Sequence, residues 1–298
     1  MTWTANDIPT QAGRTVVVTG ANSGIGYEAA LQLAVKGAHV ILACRDVERG
    51  LAAAGQIKDA QPSASVAVRE LDLADLASVR RFADAVRATT PAVDVLCNNA
   101  GVMAIPFRKT TDGFEMQFGT NHLGHFALTG LLLESLLAAP AARVVNVSSN
   151  AHKFGWMRFD DPNREQSYSK WPAYAQSKLA NLLFTYELQR RLEARGARAI
   201  SVACHPGYSA TSLQTKGAKM AGSSLEEWVM DFANRLFAQS AAMGALPTLY
   251  AATSPEVRGG EYIGPDGLGE QSGYPKKTES NARSHDAEAQ RRLWELSE

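Results

Sequence analysis

The sequence predicts an α/β protein: one doubly wound parallel sheet of about seven strands, flanked by helices. Three observations predict it. Short, almost continuously apolar segments alternate with segments of helical periodicity through most of the 298 residues. Apolar runs without polar alternation are strands buried on both faces, the habit of parallel sheets. The first such run also leads directly into a glycine-rich turn that opens a helix, as at the carboxyl edge of doubly wound sheets.

Each element has its own signal. "RTVVVTG" (14–20) reads as the first strand, and "YEAALQLAVKG" (27–37) as the first helix, with a glycine stop. "AHVILACR" (38–45) is a second strand, and "VERGLAAAGQIKDA" (47–60) is helical. "SVAVRELDL" (65–73) is a strand, followed by helix over "LASVRRFADAVRAT" (76–89). "VDVLCNNAG" (93–101) is a strand ending in a polar turn, and 112–137 reads as one long helix. "ARVVNVSS" (142–149) and "RAISVACHPG" (198–207) are strands on either side of a helix over 172–196. "GEYIGPDG" (260–267) is the seventh strand, and the tail "NARSHDAEAQRRLWELSE" reads as helix over the fold or a neighbour.

The alternation lapses at 150–171 and 209–240. Both stretches leave the carboxyl end of a strand, so both are expected to line a substrate cleft. With no linker, repeat or low-complexity segment, a single domain over 1–298 is expected.

Composition narrows the function classes. The 30 basic and 30 acidic residues cancel, and no basic stripe is visible, which disfavours nucleic-acid binding. The N-terminus lacks a basic and an apolar region in signal-peptide order. No apolar run reaches the ~18 residues that span a bilayer, so membrane insertion is not expected. Cys44, Cys97 and Cys204 are widely spaced in strand-like segments and read as reduced thiols of a cytoplasmic protein. His122 and His125 form HxxH without a partner ligand at metal spacing, so no metal is expected.

"TGANSGIG" (19–26) lies between the first strand and the first helix. Gly20, Gly24 and Gly26 permit a tight turn and close approach of backbone, and the helix N-terminus offers N–H groups to a pyrophosphate. A dinucleotide is the expected ligand. Its identity turns on "LACRD": Arg45 suits a 2′-phosphate, Asp46 a ribose hydroxyl. Arg45 comes first at the strand end, which favours NADP(H) over NAD.

"YAQSK" places Tyr174 and Lys178 on one helical face, four residues apart. An ammonium beside a phenol favours the phenolate and tunes it towards acid–base work. Alone, the spacing fits a packing tyrosine beside a surface lysine better than it fits chemistry.

TGANSGIG, "LDL" (71–73), "NNAG" (98–101), "NHLGHF" (121–126), "VNVSS" (145–149), YAQSK and "HPG" (205–207) occur in one order. Over about residues 13–212 the chain resembles the short-chain dehydrogenase/reductase family. "VILACRD", "NHLGHF" and "SKLANLLFT" liken it to the retinol dehydrogenase-like branch and its bacterial oxidoreductase relatives. The resemblance implies a Rossmann fold and hydride transfer between nicotinamide and a carbonyl or alcohol carbon. Tyr174 is then the general acid/base. Lys178 lowers its pKa and bonds the nicotinamide ribose, and Ser149, with Ser148 as the alternative register, polarises the carbonyl. Asn121 holds a water that relays protons from Lys178. The resemblance extends the phosphate loop to Asn22, Ser23 and Ile25. It puts Asp72 and Leu73 at the adenine, Asn98, Ala100 and Gly101 at the adenosine ribose, and Pro206, Gly207 and Thr211 at the nicotinamide.

Two departures qualify the likeness. Ser23 stands where many NADP-using relatives carry a basic residue, so the NADP(H) reading rests on Arg45. The interval from Ser149 to Tyr174 is also longer than is usual in the family, a feature of the retinol dehydrogenase-like branch. Met103, Trp156, Tyr208 and the apolar 212–240 segment are expected at the substrate, an apolar aldehyde or ketone. Trp228, Phe232 and Leu236 fit core or dimer packing as well. A catalytically silent, NADP-sensing regulator on the same fold would typically lose Tyr174 or Lys178. A light-driven relative of protochlorophyllide reductase would want a cysteine at a pigment site. The helices at 112–137 and 172–196 would form a homodimer or homotetramer contact.

Overall fold

The computed structural model describes residues 2–208 and 239–298. Thr211 and the residues of the expected cleft segment up to 238, Trp228, Phe232 and Leu236 included, lie outside the described residues.

Strands β1 (Thr15–Thr19), β2 (His39–Cys44), β3 (Ser65–Glu70), β4 (Val95–Asn98), β5 (Arg143–Val147), β6 (Ile200–Cys204), β7 (Tyr262–Pro265) and β8 (Pro275–Thr278) form one sheet. Its order is β3-β2-β1-β4-β5-β6-β7-β8. Every pairing is parallel except β7 with β8, which is antiparallel. This is a Rossmann sheet, and its strand order reverses between β1 and β4, the crevice where such sheets bind ligands. Val16, Val17 and Val18 are wholly buried because helices cover both faces of the sheet.

The eighth strand is an addition to the expected seven. "PKKT" has no apolar run, because it is an edge strand whose two lysines face solvent.

Among the described residues the helices are α1 (Gly24–Val35), α2 (Val47–Ala60), α3 (Leu76–Thr89), α4 (Met116–Phe118), α5 (Gly124–Leu131), α6 (Leu133–Ala138), α7 (Lys170–Ala194), α8 (Ala241–Thr253) and α9 (Ala287–Ser297). Asp46, Asp75 and Asp286 cap α2, α3 and α9 by accepting first-turn N–H groups. The single helix expected over 112–137 is instead α4, a π-turn at Gly119–Leu123, α5 and α6. The apolar periodicity runs through the π-turn, so the sequence shows no interruption there. One extra residue per turn nevertheless re-aims the backbone at Asn121.

The C-terminal helix α9 covers the fold itself. Trp294 packs against Phe126 at 5.0 Å and Phe184 at 6.0 Å, and the Arg191 guanidinium lies 4.1 Å from its ring. Leu293 is buried with Leu123, Leu179 and Leu183. The partner contact is expected on the helices of 112–137 and 172–196, and α9 packs on both of those stretches. Among the described residues no helix is long and apolar enough to cross a membrane. None of the groupings of His, Cys, Asp and Glu among them has the makings of a metal site.

Candidate active site

The site lies over the carboxyl ends of β1, β4 and β5. Two cavities share Gly20, Asn22, Ala100 and Gly101, and together make one extended groove. The smaller, about 200 Å³, runs along the glycine loop through Ser23, Gly24, Ile25 and Gly26 to Tyr174, Lys178 and Pro206. The larger, about 600 Å³, reaches Arg45, Leu73 and Met103. The shape fits an elongated dinucleotide whose pyrophosphate meets the N-terminus of α1.

The loop is held at close quarters. A Cβ on Gly26 would lie 2.5 Å from both Asn99 Nδ2 and the Gly20 carbonyl oxygen, so only glycine fits. Asn99 Nδ2 donates to the Thr19 carbonyl at 2.8 Å, and the Asn99 and Ala100 N–H groups donate to Thr19 Oγ1, each at 2.9 Å. The ends of β1 and β4 are thereby joined.

At the far end of the larger cavity lie Arg45, Asp46 and Arg49. The Asp46 carboxylate accepts from the Arg49 N–H at 3.0 Å and pairs with the Arg49 guanidinium at 3.2 Å. Arg49 is a site residue that sequence reasoning missed. It follows from the cap, since the first turn of α2 brings residue 49 back to the strand end. Leu71 and Leu73 line the same cavity. Between them, Asp72 Oδ1 accepts from the Ala74 N–H at 2.9 Å in a turn of its own.

Asn98 is placed differently from the expectation. Its side chain is buried beneath the cleft and donates to Asn146 Oδ1 at 2.8 Å and Thr129 Oγ1 at 3.1 Å. Asn99 is the asparagine that faces the groove. Adjacent strand residues point to opposite faces, and two consecutive asparagines leave the choice open in sequence.

The four expected catalytic residues converge. Ser149 hydrogen-bonds the Tyr174 phenol and also accepts from the Ala151 N–H at 3.2 Å. Ser148 is instead buried and donates to the Lys178 carbonyl at 2.8 Å, so Ser149 is the serine that meets the phenol. Lys178 Nζ donates to the Val147 carbonyl at 3.0 Å and lies 5.7 Å from the Tyr174 ring centroid. A Cβ on Gly101 would be 3.0 Å from Asn121 Oδ1 and 3.7 Å from Lys178 Nζ. Asn121 accepts from the Val102 N–H at 2.8 Å and donates to Ser177 Oγ at 2.9 Å, tying the turn after β4 to α7.

Burial governs the electrostatics. It pushes the Tyr174 phenol up to about 12, against a smaller downward pull from the Ser149 hydrogen bond. It brings the Lys178 ammonium down to about 8. The expected lowering of the phenol by Lys178 is therefore not what this geometry gives. The Nζ is directed at the Val147 carbonyl, so burial and the Ser149 hydrogen bond are what act on the phenol.

Of the expected substrate residues, Met103 lines the larger cavity. Trp156 is 62% exposed, and the Arg283 guanidinium sits 3.6 Å from its ring. Tyr208 hydrogen-bonds Gln271 through its N–H at 2.7 Å. Gly207, beside Pro206, has φ +66°, and a Cβ there would run into the Gln271 carbonyl. Cys44, Cys97 and Cys204 are free and buried.

Comparison with known proteins gives the family. Residues 14–221 match the family model described as short chain dehydrogenase. Human retinol dehydrogenase 14 is 43% identical over 301 residues, an overlap of 96% of this chain and 85% of that protein. A crystal structure of an uncharacterised protein from Mycobacterium paratuberculosis is 47% identical, with a TM-score of 0.82 over 100% of this chain and 96% of the other. A Beutenbergia cavernae protein assigned as an NAD(P)-dependent gluconate 5-dehydrogenase, solved with NADP at low occupancy, is 28% identical with a TM-score of 0.63, covering 82% and 91%.

Proposed function

Because the chain belongs to the short-chain dehydrogenase family, in its retinol dehydrogenase-like branch, we propose that it is an NADP(H)-dependent oxidoreductase that reduces an apolar aldehyde or ketone. The observation that carries this reading is the Tyr174–Ser149 pair beside Lys178, at one end of a groove whose other end is the glycine loop.

NADPH, when bound, supplies the hydride to the carbonyl carbon. The protein's own part is to orient and to protonate. With its pKa raised to about 12, Tyr174 stays protonated at neutral pH and is ready to give its proton to the carbonyl oxygen. Ser149 directs a second hydrogen bond at that oxygen, held in place by the Ala151 N–H. Lys178 anchors the nicotinamide ribose and passes a proton back to Tyr174, with Asn121 behind it. Gly20, Asn22, Ser23, Gly24, Ile25 and Gly26 cradle the pyrophosphate, and Pro206 and Gly207 border the nicotinamide.

The preference for NADP(H) over NAD rests on Asp46. Its carboxylate is engaged by Arg49 and the start of α2, so it is a poor acceptor for a ribose diol. Arg45 and Arg49 instead present two guanidiniums to a 2′-phosphate. The name of the human relative makes retinal-like aldehydes the first substrates to try.

Fluorescence titration with NADPH and NADH, followed by a panel of apolar aldehydes including retinal, tests the reading. NADPH should bind at least about tenfold more tightly, a difference of about 1.4 kcal/mol. Equal or tighter NADH binding would make the protein an NAD-linked dehydrogenase. Tight NADPH binding with no turnover on any carbonyl would favour a cofactor-sensing protein.

A further inference from the structure

The HxxH pair has no part in the chemistry described so far, and its two histidines differ. His122 sits among Phe118, Phe126 and Phe184 and reaches Ser297, a packing position. His125 is buried inside the site. Its Nε2 lies 2.9 Å from Thr19 Oγ1 and its Nδ1 3.0 Å from the Asn121 carbonyl oxygen.

We propose that His125 is a positioning residue. Its imidazole ties the phosphate-loop end of β1 to the main-chain carbonyl of Asn121, and so aims that carbonyl for the proton relay behind Lys178. The proposal rests on the hydride-transfer reading above.

The hydrogen bonds assign themselves. A carbonyl oxygen only accepts, so Nδ1 carries the proton and Nε2 is left as an acceptor. Thr19 Oγ1 already receives the N–H groups of Asn99 and Ala100, so its own hydrogen is free to go to Nε2. The alternative acceptor, the Cys97 carbonyl, is farther away at 3.3 Å. Burial lowers the His125 pKa to about 4, so the ring is neutral, with one donor and one acceptor, at working pH. Both are used.

The location gives the strut its consequence. Asn121 stands on the π-turn, where pairing one residue farther on loosens the usual helical ladder. Its side chain is committed to Val102 and Ser177, which leaves the main-chain carbonyl as the group His125 can steer. Two parts of the site thus meet at one ring, the end of β1 and the π-turn facing α7, and the turn after β4 reaches it through Thr19 Oγ1. Lys178 is close enough to His125 to contribute to its lowered pKa.

Three variants separate this role from packing. The amide nitrogen of asparagine occupies the place of Nδ1, whereas the amide of glutamine reaches the place of Nε2. His125→Phe and His125→Gln should lower kcat about tenfold or more in protein that still binds NADPH, as misplacement of a relay group does. His125→Asn should recover most of kcat because it again donates to Asn121. Equal kcat in the Asn and Gln variants, or a folded Phe variant with full kcat, would overturn the proposal. Imidazole ¹⁵N spectra of the wild-type protein give a readout free of turnover: His125 should be the Nδ1–H tautomer, and an Nε2–H tautomer would overturn the proposal whatever the activity. A wild-type protein that binds NADPH but reduces no carbonyl would instead overturn the hydride-transfer reading. The tautomer would then still decide whether the strut exists.

Discussion

The Asp46 carboxylate pairs with the Arg49 guanidinium at 3.2 Å while capping the helix that carries it. The residue that would select NAD is thus bound to the residue that would help select NADP. Arg49→Ala and Arg45→Ala should each weaken NADPH binding by the worth of a hydrogen bond to a charged group, about 1.5–3 kcal/mol. NADH binding should barely change in Arg45→Ala and should tighten in Arg49→Ala, which frees the Asp46 carboxylate. Titrating both cofactors against both variants reads the difference, and equal losses for NADH would deny these arginines a phosphate-reading role.

Gly207 occupies the left-handed region, with the Gln271 carbonyl where a side chain would go. Gly207→Ala should therefore shift the turn after Pro206. The expected cost is about 1–2 kcal/mol from backbone strain alone. It should appear as a lower urea midpoint together with weaker NADPH binding. A variant with wild-type values for both would show that the turn tolerates the shift.

Acid should destabilise the fold before it touches the carboxylates. Burial lowers the pKa of His122 to about 3 and of His125 and His152 to about 4, from an ordinary 6.5. Between those values the unfolded chain binds protons that the folded chain refuses, so stability falls as pH drops below 6.5. Each histidine contributes about 1.4 kcal/mol for each unit of its shift. Urea unfolding between pH 7 and 5 should show a steadily falling free energy. A flat profile would mean that the imidazoles are hydrated in solution.

Trp294 closes the aromatic cluster of Phe126 and Phe184 beneath Arg191. Trp294→Ala should cost about 2 kcal/mol, less than a fully buried tryptophan. NADPH affinity should be unaffected, because the cluster is remote from the groove. If chemical unfolding shows no loss, α9 is not docked as described.

The legible and illegible parts of the molecule divide along physical lines. Helices α2 and α3 match their expected spans because each opens with an aspartate cap and keeps one apolar face. The buried strands announce themselves by lacking alternation. β8 does not, since its pairing with β7 satisfies its backbone without apolar side chains. Helix α8 lies in a stretch given no element, because its small residues and internal Pro247 blur its period. The π-turn at Asn121 is a change of hydrogen-bond partner, which side-chain patterning does not record. In the site, the glycine loop, Ser149, Tyr174 and Lys178 come together as expected, since ordered motifs carry them. Asn98 facing away, Arg49 folding back and the His125 strut each depend on which way one side chain turns.

The central claim is that Tyr174 supplies the proton in an NADPH-dependent carbonyl reduction. Single-turnover reduction of an apolar aldehyde by NADPH, compared in wild-type protein and Tyr174→Phe, tests it most directly. We predict equal NADPH affinity and a rate lower by about 10²–10⁴-fold in the variant, the usual worth of a positioned general acid. A Tyr174→Phe protein that binds NADPH and reduces the aldehyde at the wild-type rate would contradict the account.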